Sequence, residues 1–76
     1  MPDYEDLARL RRVLRVGLSW QDCRHDLRRV TFWCDRHGAG DVLAWLRAEG
    51  CTCDCQALAG LDLVEHEAYM ALVAAR

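Results

Sequence analysis

Three of the chain's five cysteines fall within five positions, in "CTCDC" at 51–55. A chain of 76 residues has room for one domain only. Domains this short bury barely enough apolar surface to fold, and many rely on a metal, disulfides or a partner. What the cysteines do therefore constrains the fold more than any other feature. The run alternates Cys-x-Cys-x-Cys, which suits a metal clamp, a redox centre, a disulfide frame or small apolar residues in a core strand.

The count of five argues against a fully paired disulfide frame. The first residues, "MPDYEDLARL", are acidic and amphipathic, unlike a secretory signal with its basic start and apolar centre. No apolar run approaches the ~20 residues that cross a bilayer. These features predict a cytoplasmic protein, where thiols stay reduced and clustered Cys and His favour a metal over disulfides.

Helical periodicity covers much of the chain. Asp3 caps a predicted helix over about 3–18, with Leu7, Leu10, Leu14 and Leu18 at core spacing and Gly17 marking its end. A second helix is predicted from Asp26 to His37, with Leu27, Val30 and Cys34 on one face and Trp33 at its edge. Gly38 stops it, and Asp41 caps a short third helix, "DVLAWLRAE". Residues 51–55 are predicted as an extended segment or turn. Residues 56–60 read equally as a strand end or a helical turn. A last helix is expected from Leu61 or Asp62 to Ala75, with Leu61, Val64, Ala68, Leu72 and Ala75 on one stripe. The expected fold is mainly α, a single domain of three or four short helices over 1–76, with the Cys-x-Cys segment as a metal-stapled loop or short strand.

Two ligand pairs stand out, Cys23-x-His25 and Cys53-x-Cys55. Residues i and i+2 diverge on a helix but share a face on extended backbone. Both pairs fall where helices are predicted to stop, one before the second helix and one after the third. A helix pair joined by the short "HGAGD" turn would bring those ends together into one tetrahedral site. Three thiolates and one imidazole are a common structural zinc set with no open position. Two other readings remain at this point: apolar or incidental cysteines, and redox or thiol chemistry. Cys51 shares the alternation and could replace a ligand, but reads as a bystander. Cys34 reads as a core thiol, His37 as a cation at a helix C-terminus, and His66 as exposed. The three Trp read as core or interface anchors.

The formal net charge of −2 hides a segregation. Residues 9–36 carry eight Arg against three Asp, a local +5, while residues 37–76 carry two Arg against six acids. Such a face can meet an acidic partner or nucleic acid. The helix-turn-helix-like run "LRRVTFWCDRHGAGDVLAWLRAE" keeps nucleic acid open, although the would-be recognition helix carries only Arg47. No Gly-rich phosphate loop, nucleophile elbow or His-Glu-x-x-His pattern is present, so an enzyme is not expected.

"CRHDLRRVTFWCDRHG" followed by "VLAWLRAEGCTCDCQALAGL" resembles a small bacterial family of domains of unknown function. In that family Cys-x-His opens a helix bearing a Thr and an aromatic residue. A Trp-Leu helix, a Gly-rich turn and Cys-Asp-Cys-Glu-x-Leu-x-Asn-Val follow. The matching positions are Cys23, His25, Thr31, Phe32, Trp45, Leu46, Gly50, Cys53, Asp54, Cys55 and Leu58, within about residues 20–61. Gln56 replaces the family's Glu, Gly60 its Asn, and Cys51 falls where the family tends to have Gly. The resemblance implies that Cys23, His25, Cys53 and Cys55 belong together, and it implies no activity. The combined expectation is a zinc-binding interaction module that binds another protein. A nucleic-acid-binding regulator or a thiol- or metal-handling protein is the alternative.

Overall fold

A computed structural model describes residues 2–74, which form four helices with no strand among them. They are α1 (Tyr4–Trp20), α2 (Arg28–His37), α3 (Gly40–Ala48) and α4 (Asp54–Ala74). The mainly α expectation holds. None of the described helices is long and apolar enough to cross a membrane.

Helix α1 begins as its sequence dictates. Asp3 accepts the Glu5 N–H at 3.0 Å, and Glu5 and Asp6 place negative charge against the positive helix end. Leu7, Leu10 and Leu14 are buried along one stripe. The helix does not stop near Gly17 but runs to Trp20, because Gly17 serves packing. A β-carbon there would lie 2.8 Å from a guanidinium nitrogen of Arg29, which crosses from α2.

Helix α2 buries Val30, Trp33 and Cys34, and closes at Gly38 with φ 62. The Ala39 N–H reaches the Cys34 carbonyl at 2.9 Å, so the turn into α3 is short. That tight turn starts α3 at Gly40, two residues earlier than a cap at Asp41 predicts. Ala39 occupies the N-cap position with no side-chain cap, and Asp41 stands inside the first turn. Val42 and Leu46 complete the core from α3.

The largest departure is α4. It starts at Asp54 rather than Leu61 or Asp62, so Asp54 and Cys55 belong to helix and not to an extended segment. Ala57, fully buried, extends the stripe of Leu61 back by one turn. Thr52 donates to Gln56 Oε1 through its N–H at 2.7 Å and its hydroxyl at 2.9 Å. Gln56, the third helical residue, thus reaches back over the helix start to the residue that precedes the N-cap. The stripe packs inward only at first: Leu61 is buried, whereas Leu72 is 64% exposed. Ala75 lies outside the described residues.

Helix α4 runs antiparallel to α1. Arg11 pairs with Glu65 at 2.7 Å and with Asp62, and Arg15 reaches Asp62 at 3.2 Å. Part of the charge segregation in the sequence is thus consumed within the fold.

Gly60 lies within α4 with open space where a β-carbon would go. Gly60→Ala should therefore stabilise the protein by about 0.5–1 kcal/mol, from reduced backbone entropy of the unfolded chain. Gly17→Ala should gain less or lose stability, because Arg29 must move. Thermal unfolding followed by circular dichroism compares the two.

Candidate metal centre

The site sits where the loop between α1 and α2 meets the first turn of α4. Gly50, with φ 88, ends α3 and turns the chain, and the Cys51 N–H closes onto the Leu46 carbonyl at 3.1 Å. Cys53 then occupies the N-cap position of α4, its carbonyl accepting the Ala57 N–H at 3.1 Å. Cys55 stands in the first turn. The pair straddles the helix boundary, and the two Sγ atoms lie 3.6 Å apart. Convergence does not need the fully extended backbone predicted from i,i+2 spacing. One non-helical residue followed by one helical residue achieves it.

Asp54, between the two cysteines, turns the other way and is 1% exposed. Its carboxylate oxygens accept the N–H groups of Arg29 and Val30, each at 3.2 Å. Those donors belong to the first turn of α2, whose N-cap residue, Leu27, offers no side-chain acceptor. Asp54 therefore caps a helix 25 residues away in sequence. Its own N–H donates to the Asp26 carbonyl at 2.8 Å, so the two segments are tied in both directions. Asp26 adds a closer cap, accepting the Arg28 N–H at 3.2 Å.

This double tie places Cys23 against the α4 N-terminus. The sulfur atoms of Cys23, Cys53 and Cys55 all lie within 4.8 Å of one another. Cys53 is buried, Cys23 half-buried and Cys55 exposed. Three thiols converging this closely can hold a metal ion. Two of the four residues expected at the site come from the predicted Cys-x-Cys pair and one from the Cys-x-His pair. His25 is not one of the converging trio. It is exposed, and its backbone takes the left-handed conformation at φ 63.

The electrostatics fit thiolate chemistry. The Cys23 thiol is lowered to about 7, chiefly because the Cys55 backbone N–H, one of the unpaired donors at the α4 N-terminus, stabilises its thiolate. The Cys55 thiol and the His25 backbone N–H add to this. Cys55 moves the opposite way, to about 11, because its side chain is engaged by the Cys23 and Cys53 sulfurs.

The remaining cysteines stay apart. Cys34 is 1% exposed in the core and its thiol is raised by burial, as a core thiol should be. Cys51 packs partly against the core and is also raised by burial, outside the trio. His37 donates its Nδ1–H to the Trp33 carbonyl at 2.9 Å and stacks on the Trp33 ring at 4.4 Å. His66 is exposed. The cap made by Asp54 was not read from the sequence. Alternation was the available signal: if Cys53 and Cys55 share one side, the residue between them faces the other.

No protein-family model, curated protein or solved structure matches this chain.

Two outcomes follow from this geometry. Asp54→Ala leaves two buried N–H groups of α2 without their acceptor, and should cost about 2–3 kcal/mol in urea unfolding, with faster amide exchange at Arg29 and Val30. The second concerns pH in the metal-free protein. The lowered Cys23 thiol contributes stability that is lost as pH falls through about 7, and the raised Cys55 thiol contributes stability that is lost as pH climbs towards about 11. The combined contribution of Cys23 and Cys55 should therefore peak near the ordinary thiol value of 9.0. A titration of ultraviolet thiolate absorbance should show a first step near 7 that Cys23→Ser removes.

Proposed function

We propose that this chain is a small zinc-binding module in which Cys23, Cys53 and Cys55 hold the ion and His25 supplies the fourth ligand. Its role is to bind another protein in the cytoplasm. The observation that carries the reading is the convergence of three thiols from two chain segments onto one point. Zinc fits this donor set because it is borderline soft, accepts mixed thiolate and imidazole ligands, and imposes no electronic geometry. His25 follows Cys23 by two residues in the same loop and is exposed, so its side chain is free to turn to the ion. With four protein ligands the metal is structural, closing the junction between the α1–α2 loop and α4. Binding of this kind contributes on the order of 10 kcal/mol to folding, comparable with the whole stability of a small domain.

A second reading, a metal-handling protein, draws on the exposed Cys55 and on a His25 that stands outside the trio. Three thiolates with an open position would release metal more readily than a closed set.

Native mass spectrometry of the purified protein separates these readings. One zinc per chain is expected, lost in Cys53→Ser, with chelator sharply lowering the unfolding temperature. His25→Ala should weaken retention markedly if the imidazole is a ligand. Unchanged retention would favour the three-thiolate reading. A folded, metal-free wild type indifferent to chelator would overturn both.

A further inference from the structure

A second surface lies away from the thiols, in the groove between α1 and α2. A cavity of about 580 Å³ opens there, walled by Val13, Phe32 and Trp33 and rimmed by Arg28, Arg29 and Arg36. Its apolar character continues along α1, where Val13, Val16 and Trp20 stand at i, i+3 and i+7 on one stripe. These residues are 45%, 56% and 83% exposed, and Phe32 opposite is 64% exposed. An apolar stripe of this length on a solvent-facing helix pair is the mark of an interaction site.

The rim charges identify what the groove accepts. Arg28 is held by Asp26, with its Nη2 3.0 Å from the carboxylate. Arg29 and Arg36 have no carboxylate partner among the described residues. The Arg29 side chain donates to the neutral Gln21 at 2.9 Å, and Arg36 lies over the Phe32 ring at 5.6 Å. Guanidinium on an aromatic face keeps its N–H fork available for a carboxylate. Gly17 permits this arrangement, because any side chain there would displace Arg29.

We propose that the α1–α2 groove docks an acidic peptide segment of another protein, with a bulky apolar side chain entering the cavity and carboxylates meeting Arg29 and Arg36. This names the partner class for the interaction role proposed above and rests on that role. A second copy docking through this same face fits less well, since its own Arg29 and Arg36 would meet the rim. Nucleic acid fits less well too, since the groove wall is apolar and the chain is acidic overall.

Fluorescence anisotropy tests this with four labelled probes added to the purified protein. They are a peptide alternating Glu and Leu, the same peptide with Lys for Glu, the same with Ser for Leu, and single-stranded poly-uridylate. The Glu/Leu peptide should bind, and more weakly as salt rises. Phe32→Ala should weaken it at least about tenfold, as loss of an aromatic anchor does. Arg36→Glu, which removes the guanidinium over the Phe32 ring, should weaken it and admit the Lys/Leu peptide. Both positions are exposed, and circular dichroism checks that the variants fold. Absence of Glu/Leu binding at low salt, or equal binding of the Lys or Ser peptide, would overturn the proposal. Tighter binding of poly-uridylate would reassign the face to nucleic acid. Metal content is measured separately, so a metal-free protein leaves this assay intact and a failed assay leaves the metal result intact.

Discussion

The buried carboxylate of Asp54 holds the architecture together. Helix α2 starts without a side-chain acceptor at its own N-cap, and its Arg29 and Val30 N–H groups lie partly or fully buried. Leaving them unpaired there would cost several kcal/mol. Asp54 supplies the acceptor from the start of α4, and a carboxylate also suits the positive end of the α2 dipole. In return the Asp54 N–H, one of α4's own unpaired donors, finds the Asp26 carbonyl. Two helix N-termini thus satisfy each other.

The thiol cluster is a by-product of the same step. Once Asp54 points inward, Cys53 and Cys55 flank it on the opposite side, and the loop tied by Asp26 carries Cys23 to them. Alternation in Cys-Asp-Cys therefore encodes two tasks, a long-range cap and a pair of converging thiols. The thiol chemistry takes its character from the same helix start. The N–H of Cys55 is a free donor, and a sulfur placed against it is stabilised as thiolate.

Much of this was legible in the sequence, and the parts that were not have local causes. Leucine periodicity and the Asp3 cap specified α1, and Gly38 and Gly50 marked the turns. Gly17 misled because a glycine near a helix end ordinarily stops it, whereas here it makes space for an arginine from another helix. The start of α4 was hidden by residues of poor helix propensity, Cys, Thr and Asp, and by Gly60 within the helix. The bonds from Thr52 to Gln56 that brace this start become visible only when Thr52 is seen to precede a helix. At the site, the spacing brought Cys23, Cys53 and Cys55 together correctly. The left-handed backbone at His25 is a conformation that non-glycine residues seldom adopt, and no local pattern announces it.

The segregation of charge resolves into two parts. Arg11 and Arg15 are met by Asp62 and Glu65, so the basic and acidic halves of the chain recognise each other across α1 and α4. Arg29 and Arg36 lack such partners among the described residues and remain on the outer face of α2. That helix is held at its N-terminus by Asp54, beside the thiols, and presents Phe32 and Arg36 to the groove along its length. Any ion that fixes Cys53 and Cys55 also fixes the residue between them, and with it the first turn of α2. The thiol cluster and the groove therefore meet at one element, the α2 helix that Asp54 caps.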